Sequence, residues 1–451
     1  MSHFRQCDRN TAFLLPPSVD EWLPEDHLAR FVVDIVDQLD VSAMTRQYRG
    51  SGKAAYHPSM LLALLIYGYA TGTYSSRRIE QASYDSLAFR YIAANTHPDH
   101  DTLCTFRKRF LKEIEGLFVQ VLGIAREMKL LKLGTVALDG TKVHANASRH
   151  SALSYGHAEK LEAQLQAEVK ELLARAAAAD AEPLAEGLDM PEELARRDSR
   201  LAAIRDAKAE LEARAAERFA REQAEYEAKV KAREDKQKRT GKKPRGKPPT
   251  PPTGGPRAKD QVNLTDPDSR IMPESGGGFE QSYNAQAAVD TGTMLVVASG
   301  LTQAANDKQQ LEPMLEVLGA LPEDLGAVTQ VLADAGYFSE ANVTACLEAS
   351  IEPLLAPGRE SHHVPWQERL GEPPPLAEPN DAVARMKHRL QTRTGRADYG
   401  LRKQTVEPVF GIIKSVMGFR QFLLRGFEAV RGEWSLVTMA WNIRRMAVLR
   451  G

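Results

Sequence analysis

Two short apolar runs, each closing on an aspartate with a glycine just beyond it, constrain this chain more than any other feature. Thr135-Val136-Ala137-Leu138 leads into Asp139-Gly140-Thr141-Lys142, and Val331-Leu332-Ala333 leads into Asp334-Ala335-Gly336-Tyr337-Phe338. Apolar runs of this length bounded by turn formers read as buried strands. A third carboxylate, Glu407, lies in a basic stretch of helical pattern that begins at Arg402-Lys403 and has Lys414 beyond it. Alone, an aspartate after a strand is usually a turn or cap residue, and a lone helical glutamate is usually solvated. The three settings taken together single these residues out.

A chain of 451 residues exceeds one ordinary core, so two or three folding units are expected. With 43% hydrophobic and 26% charged residues it is globular in composition rather than disordered. The net charge of -1 decides nothing about a polyanionic partner, but its distribution is informative. From residue 385 onward, Lys and Arg greatly outnumber the acids Asp398, Glu407, Glu428 and Glu433. A basic surface beside a carboxylate cluster suits phosphate-backbone binding followed by metal chemistry. Cys7, Cys104 and Cys346 are odd in number and far apart, which excludes a zinc spacing or a disulfide framework and fits a reducing cytoplasm. The most apolar stretch, residues 60–69, is shorter than the roughly 20 residues that span a bilayer. No signal-peptide pattern opens the chain. The expectation is a soluble intracellular protein, cytoplasmic and associated with the nucleoid.

The first 130 residues read as helices: one in the segment 22–33 after a Pro24-Glu25-Asp26 start, one over 58–69, one opening at Ser75-Ser76, and a basic one after His100 that carries Arg107, Lys108, Arg109 and Lys112. Such a set can form a helix-turn-helix DNA reader, or an ordinary bundle with solvated charges. In residues 157–233, Leu161, Leu165, Val169 and Leu172, then Leu194, Leu201, Ile204, Leu211 and Ala215, recur at helical spacing, with breakers at Pro183 and from Gly187 to Pro191 between the two runs. The pattern predicts an antiparallel helical hairpin with a narrow coiled-coil seam, either a dimerisation or DNA-clamping arm or a tolerated insertion. Residues 236–256, rich in Lys, Arg, Pro and Gly, read as a flexible basic linker. A hairpin of strands over 282–290 and 294–300 then leads to a helix over 307–318, a strand over 328–333, a helix over 339–349 and a strand over 351–355. The predicted class is α/β: a ribonuclease-H-like catalytic domain with a mixed sheet, split after its first strand by the helical hairpin and preceded by an all-α N-terminal domain. The corresponding boundaries are 1–130 for the helical DNA-binding domain, 131–156 and 261–425 for the catalytic domain, 157–260 for the insertion and linker, and 426–451 for a C-terminal helix.

Phosphodiesters resist hydrolysis because their oxygens repel the nucleophile and the leaving alkoxide is poor. Two magnesium ions about 3.5–4 Å apart address both problems, and magnesium takes hard oxygen ligands while keeping part of its water shell. Asp139 is expected to bridge both ions, with Asp334 holding one and Glu407 the other; manganese is expected to substitute. Lys414, seven residues after Glu407, is expected on the same helix face, where it can hold a DNA phosphate. Pro408 suits a first helical turn, which would put Glu407 at a helix N-terminus. Tyr399 can stack on a displaced base or fill a core. Lys142 and His144 can approach the phosphate or be plain surface polarity, and His362-His363 reads as an exposed loop.

On these residues the chain resembles bacterial insertion-sequence transposases of the DDE class, most closely the insertion-sequence family numbered 1182. The matching stretches are Leu14-Leu15-Pro16-Pro17-Ser18, Trp22-Leu23-Pro24-Glu25-Asp26-His27, Ala137-Leu138-Asp139-Gly140-Thr141-Lys142 with Asn146-Ala147-Ser148, Tyr283-Asn284-Ala285-Gln286 with Asn306-Asp307-Lys308, Ala333-Asp334-Ala335-Gly336-Tyr337, and Thr405-Val406-Glu407-Pro408-Val409-Phe410-Gly411 with Phe419-Arg420 and Leu424-Arg425-Gly426. The resemblance runs nearly end to end and is weakest over 157–260. It implies metal-binding and catalytic roles for Asp139, Asp334 and Glu407, and recognition of the element's terminal inverted repeats by the N-terminal region. Related enzymes carry a Tyr–Arg–Glu–Lys signature around the last glutamate. Here Tyr399, Glu407 and Lys414 fit it, while Arg402 lies one position further from Glu407 than expected and Lys403 occupies the expected place. The basic role stays open between those two. The partners expected are double-stranded DNA at element ends and target, and a second copy of the chain on DNA. A ribonuclease-H-like nuclease that cuts without joining, or a catalytically silent DNA-binding descendant, would carry the same residues.

Overall fold

A computed structural model describes residues 18–48, 55–178, 190–241, 246–274, 276–358, 371–376 and 381–451. Cys7, residues 14–17, Pro183, residues 187–189 and His362-His363 lie outside the described residues. In chain order the elements begin with helices α1 (Val19–Trp22), α2 (Leu28–Val36), α3 (Ser42–Thr45), α4 (Pro58–Thr71), α5 (Ser76–Asp85), α6 (Leu87–Ile92), α7 (His100–Arg109) and α8 (Leu111–Glu127), then strand β1 (Thr135–His144). Strand β2 (Ala152–Ser154), helices α9 (Tyr155–Ala178) and α10 (Met190–Thr240), and strands β3 (Gln261–Asn263) and β4 (Arg270–Pro273) follow. The remainder is β5 (Phe279–Asp290), β6 (Val296–Thr302), α11 (Leu311–Gly319), β7 (Gln330–Ala333), α12 (Glu340–Glu348), β8 (Glu352–Leu355), α13 (Ala382–Gln391), α14 (Arg393–Gly411), a π-helical turn Ile412–Val416 and α15 (Phe427–Arg450). The backbone divides into two compact units, one of residues 1–143 with 283–451 and one of residues 144–282.

In the first unit, β6, β5, β1, β7 and β8 lie side by side in that order, with β5 and β6 antiparallel and β1, β7 and β8 parallel. Parallel neighbours buried on both faces need continuous apolar runs rather than alternation, as Val136-Ala137-Leu138 and Val331-Leu332-Ala333 provide, all nearly inaccessible. The N-terminal helices are not set apart from this sheet. Helix α15 is buried from end to end of its middle turns and packs on α4, α8 and β6. Its Asn442 side chain accepts from the Val296 amide at 2.8 Å and donates to the Val296 carbonyl at 2.7 Å, while Trp434 Nε1 donates to the Gln286 carbonyl at 3.0 Å. Helix α4 is apolar all round, as a helix enclosed by others must be; Pro58 opens it and Gly72, at φ +84°, ends it in the left-handed conformation. The helix expected after Pro24-Glu25-Asp26 is α2, capped by His27 with Nδ1 accepting from the Ala29 amide at 3.0 Å, and the chain is extended at Leu23 between it and the short α1.

In the second unit, α9 and α10 share a small core of Leu165, Leu201, Ile204, Ala207 and Leu211, joined by Leu153 and Val262 of the antiparallel pair β2–β3. The basic segment expected to be a loose linker is different where it is described. Residues 236–240 continue α10, and the chain from 246 to 260 runs back beside that helix. Arg233 donates to the Gly246 carbonyl at 2.7 Å, and Arg218 donates to the Gly255 carbonyl at 3.0 Å and to Asp260 at 2.8 Å. Arginines of α10 thus satisfy the carbonyls of a segment whose prolines give it few donors of its own. Among the described residues, no helix is long and apolar enough to cross a membrane.

Candidate active site

The pairing of β1 with β7 sets the site. Leu138 lies opposite Ala333 in a parallel register, so Asp139, within β1, and Asp334, just past β7, lie at the same level. Asp334 follows β7 directly, and its Oδ1 accepts from the Gly336 amide at 2.8 Å, a tight turn that fixes the carboxylate. Asp139 is not at a strand end as expected: β1 continues to His144. Its side chain is 17% exposed, with Oδ1 accepting from the Gly140 amide at 2.9 Å.

Glu407 comes from α14, but near that helix's C-terminal end rather than its first turn. Pro408 lies inside the helix, where it has no N–H to donate to the preceding turn. Past Gly411 the helix widens into the π turn, closed by the Met417 amide on the Ile412 carbonyl at 2.8 Å. This change of pitch removes the basis for placing Lys414 two regular turns from Glu407. Lys414 instead donates to the backbone carbonyl of Lys142, on the strand of Asp139, at 2.7 Å.

Arg402 links the two sides of the site. Its guanidinium donates to Asp139 Oδ2 at 3.2 Å and to Glu407 Oε1 at 2.8 Å, and the residue is only 8% exposed. Lys403, the other candidate for this role, is exposed. Tyr399 lies close enough to raise the Arg402 pKa; burial opposes the charge of Arg402, and Asp139, Tyr399, Glu407 and Asp334 outweigh it. Burial pushes the Asp139 carboxyl up to about 7, Arg402 working against that shift and Asp334 and Asp307 adding to it.

Sequence reading missed the polar floor of this site. Asn284 and Gln286, both 2% exposed on β5, each donate to Asp307 Oδ1 at 2.7 Å, and Gln286 Oε1 accepts from the hydroxyl of the fully buried Tyr337. Asp307 lies in the turn before α11, not in the helix expected to begin there. The available signal was the pair of carboxamides Asn284 and Gln286 set among the apolar residues of the stretch 283–289, since buried amides require partners. Gly140 is required here: a Cβ on it would lie 2.3 Å from Gln286 Nε2 and 2.4 Å from Asp307 Oδ1.

The expected DNA-contact residues of α7 separate. Arg107 is buried, donating to the Tyr69 hydroxyl at 2.9 Å and to the Tyr74 carbonyl at 3.2 Å, so it is no contact residue. It belongs to a buried network in which Glu433 accepts from Tyr69 at 2.6 Å and from the Leu423 and Leu424 amides at 2.9 Å. Lys108 is exposed; Arg109 is exposed too, donating to the Gln47 carbonyl at 2.9 Å and lying over the Tyr48 and Phe110 rings. Within the second unit, His144 pairs with Glu274.

Among the described residues no group of three or more His, Cys, Asp or Glu side chains converges closely enough to hold a metal ion by itself. The donors nevertheless fit a hard divalent cation in kind: all are carboxylate oxygens. Two of them already share one positive group, the Arg402 guanidinium.

Residues 17–109 match the family model of a transposase domain (DUF772), and residues 250–443 match that of a transposase DDE domain. The second match includes Asp307, Asp334 and Glu407 and leaves Asp139 outside. No curated protein and no solved structure matches the chain. The pairing of these two domains supports an insertion-sequence transposase. A DDE domain implies a DNA-cleaving and DNA-transferring enzyme on a ribonuclease-H-like fold, generally with divalent metal ions, and the mixed sheet and helical N-terminal region are consistent with that fold.

Proposed function

We propose that the chain is a DDE transposase, of the insertion-sequence family numbered 1182, that binds its element's terminal inverted repeats and catalyses DNA strand cleavage and strand transfer at Asp139, Asp334 and Glu407. The observation that carries this reading is the register that brings Asp139 and Asp334 level on adjacent strands, with Glu407 joined to Asp139 through Arg402. The three carboxylates would hold two divalent cations, magnesium or manganese. Bound there, the ions would stabilise the attacking and leaving oxygens of the phosphodiester.

The chain's own residues supply position and charge. The β1–β7 ladder and the Asp334 turn hold two carboxylates on a rigid sheet, so little reorganisation is needed when charge develops on the phosphate. Arg402 keeps Asp139 and Glu407 together by donating to both. Lys414 braces the β1 backbone past Asp139. Lys108, Arg109, Lys403 and Tyr399 form the remaining DNA-facing set, and a dimer on DNA would bring two element ends together.

The test is a labelled duplex carrying the native element's end, incubated with Mg2+ and target DNA, comparing wild type with Asp334→Ala. Nicked and joined products in wild type, both lost in the variant, are expected. Nicks without joints would leave a nuclease, and binding without cleavage by either protein would leave a DNA-binding protein.

A further inference from the structure

Asp307 has the setting of a built ligand rather than a surface acid. One of its oxygens, Oδ1, accepts from two carboxamides that are themselves 2% exposed, Asn284 at 2.7 Å and Gln286 at 2.7 Å. Gln286 is held in turn by the Tyr337 hydroxyl, and Asn342 Nδ2 ties the Lys308 carbonyl at 2.9 Å to the Tyr337 carbonyl at 2.6 Å. The turn bearing Asp307 and the turn bearing Asp334 are thus sewn together. The other oxygen, Oδ2, faces Asp334: a single point, where a Cβ on Gly336 would sit, lies 3.7 Å from Asp307 Oδ2 and 2.9 Å from Asp334 Oδ1.

Charge is unevenly compensated across these acids. Arg402 pairs with Asp139 and Glu407. Among the described residues, neither Asp307 nor Asp334 has an ion-pair partner. Two carboxylates held toward each other by hydrogen bonds, over a glycine and without a cation of their own, repel unless a positive ion lies between them.

We propose that Asp307 is a fourth carboxylate of the divalent-cation site, paired with Asp334, and that Asn284 and Gln286 orient it by occupying Oδ1 and leaving Oδ2 to the ion. The inference rests on the metal-dependent reading above. It extends the site to a residue outside the expected trio and gives the buried amides of β5 an orienting role of the kind that partners of metal ligands play.

The test measures Mn2+ binding to the full chain without DNA, by calorimetry or by the loss of free-ion paramagnetic signal. Asp307→Asn is chosen because its carboxamide oxygen can still accept from Asn284 and Gln286. Melting in EDTA verifies folding. We expect Mn2+ affinity to fall tenfold or more with an unchanged melting temperature. Gly336→Ala, which keeps every carboxylate but puts a methyl group between Asp334 and Asp307, should weaken Mn2+ binding in the same direction. Wild-type affinity in Asp307→Asn, with Asp334→Asn impaired, would overturn this proposal and spare the metal-dependent reading. Wild-type affinity in both would overturn the two together.

Discussion

Burial holds the Asp139 carboxyl near 7, and that has a consequence for stability that can be signed. In an unfolded chain the group titrates near ~3.9. Between that value and about 7 the folded state therefore binds more protons than the unfolded one, and stability falls as pH rises across this window, then levels off. Asp139→Asn removes the titration but keeps an acceptor for Arg402. In EDTA, the melting temperature of wild type should decline from pH 5 to pH 8 more steeply than that of the variant; parallel curves would show that Asp139 is not elevated. Glu433 makes a second case. It is fully buried, its pKa raised by that burial, and it accepts from Tyr69 and two backbone amides beside Arg107. Removing one member of such a network strands the others, which typically costs about 3–5 kcal/mol. Urea unfolding should show Glu433→Ala destabilised on that scale and Arg107→Ala destabilised too, while Lys108→Ala, on the exposed face of the same helix as Arg107, should stay within about 0.5 kcal/mol of wild type.

At the scale of elements, what the sequence displayed was whatever its local pattern determines. The apolar runs of β1 and β7 and the β5–β6 hairpin are short-range signals, and the residues that follow the runs, Asp139 and Asp334, could be named from them. Burial of a charge is not local: Arg107 looks like any basic helix residue until Tyr69 joins it to Glu433, and those two are 364 residues apart. Asp307 was hidden for the same reason, its partners lying on a strand 21 and 23 residues earlier. The position of Lys414 was hidden by helix pitch, since spacing arguments assume 3.6-residue turns and the Ile412–Val416 turn is π-helical. Helices α9 and α10 were legible from their leucines because the seam is sparse and periodic. That sparseness makes each position matter: Leu211 and Ile204 are at most 2% exposed in a core with few other members. Leu211→Ala should cost about 2–5 kcal/mol, confined to the second unit. Hydrogen exchange should then lose protection over residues 155–175 and 192–241 while β1 and β7 keep theirs; an equal loss in both units would mean that they unfold as one.

Over the whole molecule, a formal charge of -1 on 451 residues hides a segregation that bears on DNA binding. Asp139 and Asp334 lie at one level on the inner strands β1 and β7, and basic residues dominate from residue 385 to the end. Not all of those cations are available to a phosphate: Arg402 is engaged by Asp139 and Glu407, and Lys414 by a backbone carbonyl. Lys403, Lys108 and Arg109 are exposed, and Arg107 is not. Each phosphate contact on duplex DNA releases counterions and contributes roughly -0.9 to the slope of log affinity against log salt concentration. If the exposed residues grip the backbone, Lys403→Ala and Arg109→Ala should each make that slope shallower by about 0.9, whatever the DNA sequence. Arg107→Ala should leave the slope unchanged at temperatures where the variant is folded, because its loss acts through packing. Fluorescence anisotropy on an element-end duplex and a scrambled duplex, titrated over a range of salt, separates the cases. A slope that moves with Arg107 but not with Lys403 or Arg109 would mean that DNA reaches this chain over a different face and that the buried network opens on binding.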